Sequence, residues 1–191
     1  MKEFFKKYLN TFAWGLSAVV CATAFIAWGQ NINWQLAGIS SYKVFPLFGL
    51  LAFSLMWTHY IVAGVKATFN LQDLTFSKTY FEVTALVVFG ALLLHPGLLI
   101  LQLLRDGFGL PPGSYKAYVS AGLIWAVYLG AISWLAFMAY ELRRWHGDKK
   151  WWKYVVYAND LAIWAIYIHG LKLGADVTAS WLYVVWLFYG F

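Results

Sequence analysis

The chain has 191 residues, of which 62% are hydrophobic and only 12% charged, with a mean hydropathy of +0.64. Soluble domains carry about 25% charged residues, so this composition excludes an ordinary soluble enzyme and indicates an integral membrane protein. The net charge of +6 comes from 14 Lys and Arg against 8 Asp and Glu; the cations cluster between apolar runs, which marks them as topology signals and gives no nucleic-acid surface.

Lys2, Lys6 and Lys7 precede an apolar run as in a secretory signal, yet residues 11–29 are long enough to span and show no small-residue cleavage site. A retained anchor is expected. Six segments meet the criterion of about 17 to 25 predominantly apolar residues, near 11–29, 44–65, 80–104, 117–140, 152–171 and 175–191. The expected fold is all-α, an integral membrane six-helix bundle forming one domain over residues 1–191, with no internal repeat. The lone Cys21, in the first segment, rules out an intrachain disulfide and an all-cysteine metal or iron–sulfur site.

With the amino terminus in the cytoplasm, Lys2, Lys6, Lys7, Lys66, Lys78, Arg143, Arg144, Lys149, Lys150 and Lys153 fall inside. Only Lys43, Arg105, Lys116 and Lys172 fall outside. Ten cations against four place both termini in the cytoplasm. Rings such as Trp28, Trp34, Tyr80, Tyr115, Trp145, Trp151 and Trp152 flank the segment ends, where amphipathic aromatics anchor to headgroups. The loops are short: NLQD in the inner loop 67–78 is a cap or turn signal, and Pro111, Pro112 and Gly113 form a breaker in the outer loop RDGFGLPPGSYK.

Ionisable side chains inside a membrane are costly and therefore functional candidates. His95, in LLLHPGLL, lies seventeen residues beyond Lys78, and His169, in YIHGLK, lies sixteen beyond Lys153. At 1.5 Å per residue both stand about 24 to 26 Å from a basic inner boundary. On the topology above, segments three and five both run outward, so the two histidines share one depth in the outer half. Two neutral imidazoles at one depth are what axial ligation of haem iron requires. The competing reading is that each histidine hydrogen-bonds a neighbouring helix. Pro96, next to His95, is expected to kink or widen the helix there.

Further in, His59 precedes Lys66 by seven residues and Asp160 follows Lys153 by seven, so both lie about 10 Å from the inner boundary and are candidates to pair. Asp160 is nine residues from His169 and points to the opposite side of its helix, whereas Asn159 comes closer to the ligand face and Glu82 sits near the inner interface. These four make a candidate inner-half quinone or flavin site, the competing reading being a structural polar pair or snorkelling arrangement. On the outer side Arg105 and Lys172 are candidates to neutralise haem propionates, against an interfacial snorkelling role. His146 reads as an ordinary loop residue, and the glycines of the outer loop form no phosphate loop.

The arrangement of six spans with HP late in the third, a basic WHGDKKWWKYVVYAND leading into the fifth and IHG near its end resembles the ferric reductase-like transmembrane domain. That family includes bacterial haem-binding membrane subunits of the methionine sulfoxide reductase system, NADPH oxidases and metalloreductases. Its two-haem members carry two histidines on each of the third and fifth spans. Here the outer pair matches His95 and His169, and the inner positions fall on Phe81 and on Val155 or Val156, which cannot ligate iron. The resemblance thus implies one outer-half haem b, the electron-transfer membrane subunit of an oxidoreductase and a bacterial inner membrane. It also implies a carrier in the inner half, flavin or quinone, supplied by a separate flavoprotein reductase or by quinol. The expected acceptor at the outer face is a docking protein, a ferric chelate or oxygen, and the short outer loops favour the docking protein. The alternative from another class is a cofactor-free membrane scaffold or small transporter.

Overall fold

The computed structural model describes residues 1–71, 76–142 and 146–190, apart from the side chains of Phe76 and Ser77. Gln72 and Asp73 of NLQD, the inner-loop Arg143, Arg144 and Trp145, and Phe191 lie outside the described residues. The described chain is all-helical, 81% helix without strands. In order come α1 (Lys2–Asn31), α2 (Ser41–Thr68), α3 (Phe76–Arg105), 3₁₀ turns at Gly113–Ala117 and Ala121–Leu123, α4 (Ile124–Tyr140), α5 (Trp152–Leu173), α6 (Ala175–Thr178) and α7 (Leu182–Tyr189).

Among the described residues, four stretches are long and apolar enough to cross a membrane: Lys2–Asn31, Ser41–Thr68, Lys78–Arg105 and Ala121–Tyr140. The shortest, at 20 residues, reaches about 30 Å, the thickness of a hydrocarbon core. On α3 the outward residues include Leu86, Val87, Leu93, Leu94 and Leu101, an apolar face suited to lipid. This is a membrane protein by composition and by element length together.

The fifth and sixth expected segments differ from these four. α5 has 22 residues but carries Lys153, Asp160 and Lys172, so it has the length of a span with a more charged surface. Residues 175–190 are not one helix; they form the four-residue α6 and the eight-residue α7 with a break between. Ser180 makes the break, its hydroxyl donating to the carbonyl of Asp176 at 2.5 Å and accepting from the amide of Leu182 at 3.1 Å. A serine that bonds backbone on both sides competes with a continuous helix. α7 alone is about 12 Å long, short of a crossing.

Local chemistry also sets where the first three helices stop. After α1, α2 and α3 the chain enters the left-handed region at Asn33 (φ 54°), Asn70 (φ 51°) and Gly107 (φ 79°). In each case the next amide reaches back to a carbonyl five residues earlier: Trp34 to Gly29 at 2.8 Å, Leu71 to Lys66 at 2.8 Å and Phe108 to Leu103 at 3.0 Å. Asparagine and glycine tolerate that conformation and so close the helix end. Asn70 is the first residue of NLQD, whose turn signal is met there. The fourth segment, expected from 117, becomes α4 only at Ile124, because the 3₁₀ turns, with Ser120 in an extended conformation between them, come first.

The chain divides into two compact units, Met1–Gln102 and Leu103–Phe191. In the first, α1 packs along α2, and Leu9, Ala13, Val62, Leu71 and Tyr80 form a core flanked by Phe5, Phe12 and Phe69. That core explains why α1 starts at Lys2, ahead of its apolar run: Leu9 and the nearby rings are needed for packing. In the second unit α4 packs along α5, and α7 is tied to α5 by Trp186, whose indole N–H donates to the carbonyl of Tyr167 at 3.2 Å. α3 remains helical through Pro96.

Candidate functional site: two histidine seats and a buried polar cluster

In the first unit, His95 on α3 is held by α2. Its Nδ1 donates to the backbone carbonyl of Phe45 at 2.8 Å, and its ring lies 5.2 Å from the Phe45 ring, centroid to centroid. A Cβ built on Gly49 would stand 2.7 Å from His95 Cε1 and 2.8 Å from Nδ1, well inside van der Waals contact. The spacing has a geometric cause. A helical carbonyl points along the axis toward residue i+4, and the Cα–Cβ bond of i+4 leans back over that carbonyl. An imidazole reaches the carbonyl of Phe45 only across a residue that has no Cβ.

The second unit contains the same construction. His169 on α5 donates from Nδ1 to the carbonyl of Ala126 on α4 at 2.8 Å. A Cβ on Gly130, again four residues on, would stand 2.6 Å from His169 Nδ1 and 2.7 Å from Cε1. A carbonyl only accepts, so the proton of each neutral ring is on Nδ1 and the lone pair on Nε2. Both histidines therefore carry the lone pair on the same nitrogen. Anchoring the remote N–H on a backbone carbonyl is also how metal-ligating imidazoles are commonly oriented.

Ring-on-glycine packing recurs at Trp186, which donates to Tyr167 while a Cβ on Gly170 would stand 2.4 Å from its ring. Indole has no further lone pair to offer. The two histidines differ from Trp186 in chemistry: on the tautomer with the proton on Nδ1, the ring carries a lone pair on Nε2.

His59 is set up the other way round. The hydroxyl of Thr84 donates to the carbonyl of Tyr80 at 2.6 Å, so its oxygen accepts from His59 Nε2, also at 2.6 Å. That places the proton on Nε2 and the lone pair on Nδ1. Nearby, Tyr80 OH lies 2.8 Å from both Ser17 Oγ and Thr58 Oγ1, and Thr58 donates to the carbonyl of Leu55 at 2.8 Å. Directionality follows: Ser17 donates to Tyr80, Tyr80 to Thr58 and Thr58 to backbone. α1, α2 and α3 are pinned by hydrogen bonds that end on carbonyls. An apolar groove of about 230 Å³ runs beside this cluster, lined in part by Trp14, Ser17, Cys21, Leu55, Thr84 and Val87. Thr84 lies eleven residues before His95 on α3, about 16 Å along the axis.

Of the expected inner-half group, His59 and Glu82 lie in the first unit and Asp160 and Asn159 in the second. His59 takes Thr84 as its partner, and Glu82 is exposed and pairs with Lys78 one turn back at 3.7 Å. Asp160 is exposed and Asn159 half-buried on α5, in the second unit. Lys172 and Arg105 are exposed in the last turns of α5 and α3, the placement expected of cations at helix ends. His146 stacks at a tilt on Trp151, 5.6 Å between centroids. Among the described residues no cluster of three or more His, Cys, Asp or Glu is arranged to hold a bare metal ion. Haem iron, already held by four porphyrin nitrogens, asks the protein for only two.

Comparison with protein-family models, curated proteins and solved structures finds no match. The residues themselves therefore carry the functional reading. Sequence reasoning missed Gly49 and Gly130, and it missed Thr84, Tyr80, Ser17 and Thr58. The seats had a faint signal, a glycine in the helix preceding each histidine. The hydroxyl cluster had none, since serines and threonines in apolar runs do not announce their partners.

Thr84→Val keeps the shape and removes the acceptor of the His59 N–H. Interhelical hydrogen bonds in membranes average about 0.6 kcal/mol and reach about 1.7, so a loss of about 1 kcal/mol is expected. Unfolding of the detergent-solubilised protein by increasing SDS measures it; an unchanged midpoint would show that the bond contributes nothing.

Proposed function

We propose that this protein is a membrane b-type cytochrome in which His95 and His169 are the axial ligands of one haem b. The observation that supports it is the matched anchoring of the two rings. Each donates Nδ1–H to a helical carbonyl and keeps its lone pair on Nε2, the donor set that haem iron takes from bis-histidine proteins. Once bound, haem supplies a one-electron couple in an apolar environment.

The rest of the chain is assigned around that axis. Lys172 and Arg105, exposed at helix ends, neutralise the propionates. The positive-inside count puts both termini in the cytoplasm with His95 and His169 in the outer half, in keeping with a bacterial inner membrane and six crossings. The sixth then requires α6 and α7 to act together. His59, with its lone pair on Nδ1 and its partner Thr84 lining the groove, supports an inner carrier, quinone or flavin, fed by quinol or by a separate flavoprotein reductase. Electrons would pass to an acceptor at the outer face, a docking protein being favoured by the short outer loops.

The competing reading, a cofactor-free scaffold or small transporter, draws on the hydroxyl cluster, which ties three helices together without any cofactor. A reduced-minus-oxidised visible spectrum of protein purified from haem-replete cells, with haem quantified per chain, separates the two. A low-spin b-type spectrum at about one haem per chain is expected. A colourless protein would overturn the cytochrome assignment, and two haems per chain would overturn the single site.

A further inference from the structure

We infer that Gly49 and Gly130 are positioning residues for the axial imidazoles, and that with the carbonyls of Phe45 and Ala126 they decide which ring nitrogen meets the iron and how strongly it donates. This rests on the haem assignment above. The two seats come from different parts of the chain and share one construction: acceptor carbonyl at i, glycine at i+4, imidazole laid across both. Other glycines in the same helices differ. A Cβ at Gly64 on α2, or at Gly90 or Gly97 on α3, would meet nothing within 4 Å, so a general need for small residues does not account for Gly49.

The chemical consequence follows from the bond that the glycine permits. A carbonyl accepting from Nδ1–H makes the imidazole more basic at Nε2 and fixes its tautomer and orientation. A stronger donor favours ferric over ferrous iron. Adding one methyl at the seat displaces the ring from its carbonyl, which weakens ligation and moves the haem potential upward, although the histidine itself is untouched. Losing such an outer partner typically costs about 10- to 100-fold in metal affinity.

The test uses the full-length haem protein carrying Gly49→Ala or Gly130→Ala, with Gly64→Ala and Gly90→Ala as matched controls. Haem per chain, spin state by EPR, midpoint potential and helicity are measured on each. The expected result is haem retention weakened by about tenfold or more, a high-spin fraction and a more positive potential at the two seats, with the controls like wild type. Seat variants that keep a full low-spin haem at the wild-type potential overturn the inference and leave the haem assignment standing. A wild type without haem overturns both. If a seat variant fails to fold, pulsed EPR of the wild-type protein in D₂O decides: both remote imidazole N–H protons should be protected from exchange, and rapid exchange of either overturns the proposal.

Discussion

On the proposed haem assignment, His95→Ala and His169→Ala are each expected to reduce bound haem from about one per chain to less than about a tenth of that, since loss of an outer partner alone costs about 10- to 100-fold and these variants remove the proposed ligand itself. The low-spin spectrum should vanish in both. A stability measurement on each variant separates haem loss from unfolding. Each substitution deletes an interhelical hydrogen bond to a helical carbonyl, worth about 0.6 kcal/mol on average in a membrane protein, and the carbonyls of Phe45 and Ala126 can keep their i+4 amides as partners. His95→Gln sharpens the comparison, since an amide can still donate to the carbonyl of Phe45 but is a poor iron ligand; it should retain stability and lose haem. His59→Ala is the complementary control. Its lone pair is on Nδ1 and its partner is Thr84, so it should leave the haem spectrum in place. A full haem complement in His95→Ala or His169→Ala would remove that residue from the axial pair.

Much of the architecture was legible because composition and hydropathy act over long windows. The first three segments and the fourth emerged as helices near their expected positions, and the breaker cluster of Pro111, Pro112 and Gly113 fell between the third and fourth. The ends were less legible, since they depend on single residues. α1 runs ten residues or so ahead of its apolar stretch because Leu9 and its neighbours pack in a core, a tertiary effect that hydropathy does not register. The 175–191 segment is apolar throughout much of its length, yet the hydroxyl of Ser180 bonds backbone on both sides and breaks it. At the site, the histidines stood out because ionisable groups are rare in apolar runs. Their seats did not, since a glycine in a membrane helix is unremarkable until the ring that lies on it is known. The pairing of His59 with Asp160 is expected from depth alone, and depth does not specify azimuth or partner; the structure gives His59 Nε2 the hydroxyl of Thr84.

Tyr80→Ala carries the largest expected stability effect, and comparison with Tyr80→Phe separates its two sources. Tyr80 is fully buried and touches rings on three sides: Trp14 edge-on at 5.3 Å, His59 at 5.8 Å and Phe81 at 5.2 Å. Truncating a buried aromatic to alanine costs about 3 to 5 kcal/mol, mainly because the surrounding side chains lose their contacts. That loss applies in a bilayer as well as in water. Tyr80→Phe removes only the hydroxyl shared by Ser17 and Thr58. Those two already stand 3.2 Å apart, so Ser17 can redirect its proton to Thr58 when the phenol is gone, and neither is left buried without a partner. The expected cost is therefore near the membrane average of about 0.6 kcal/mol, well below the penalty of about 1 to 3 kcal/mol for a stranded polar group. Ser17→Ala in the Tyr80→Phe background removes that alternative donor, and its additional cost measures how far the pair had compensated. SDS unfolding midpoints of the three variants give the ordering. If Tyr80→Phe proved as damaging as Tyr80→Ala, the pin would owe its strength to the hydroxyl chain, and the core packing of the aromatic ring would be the minor part.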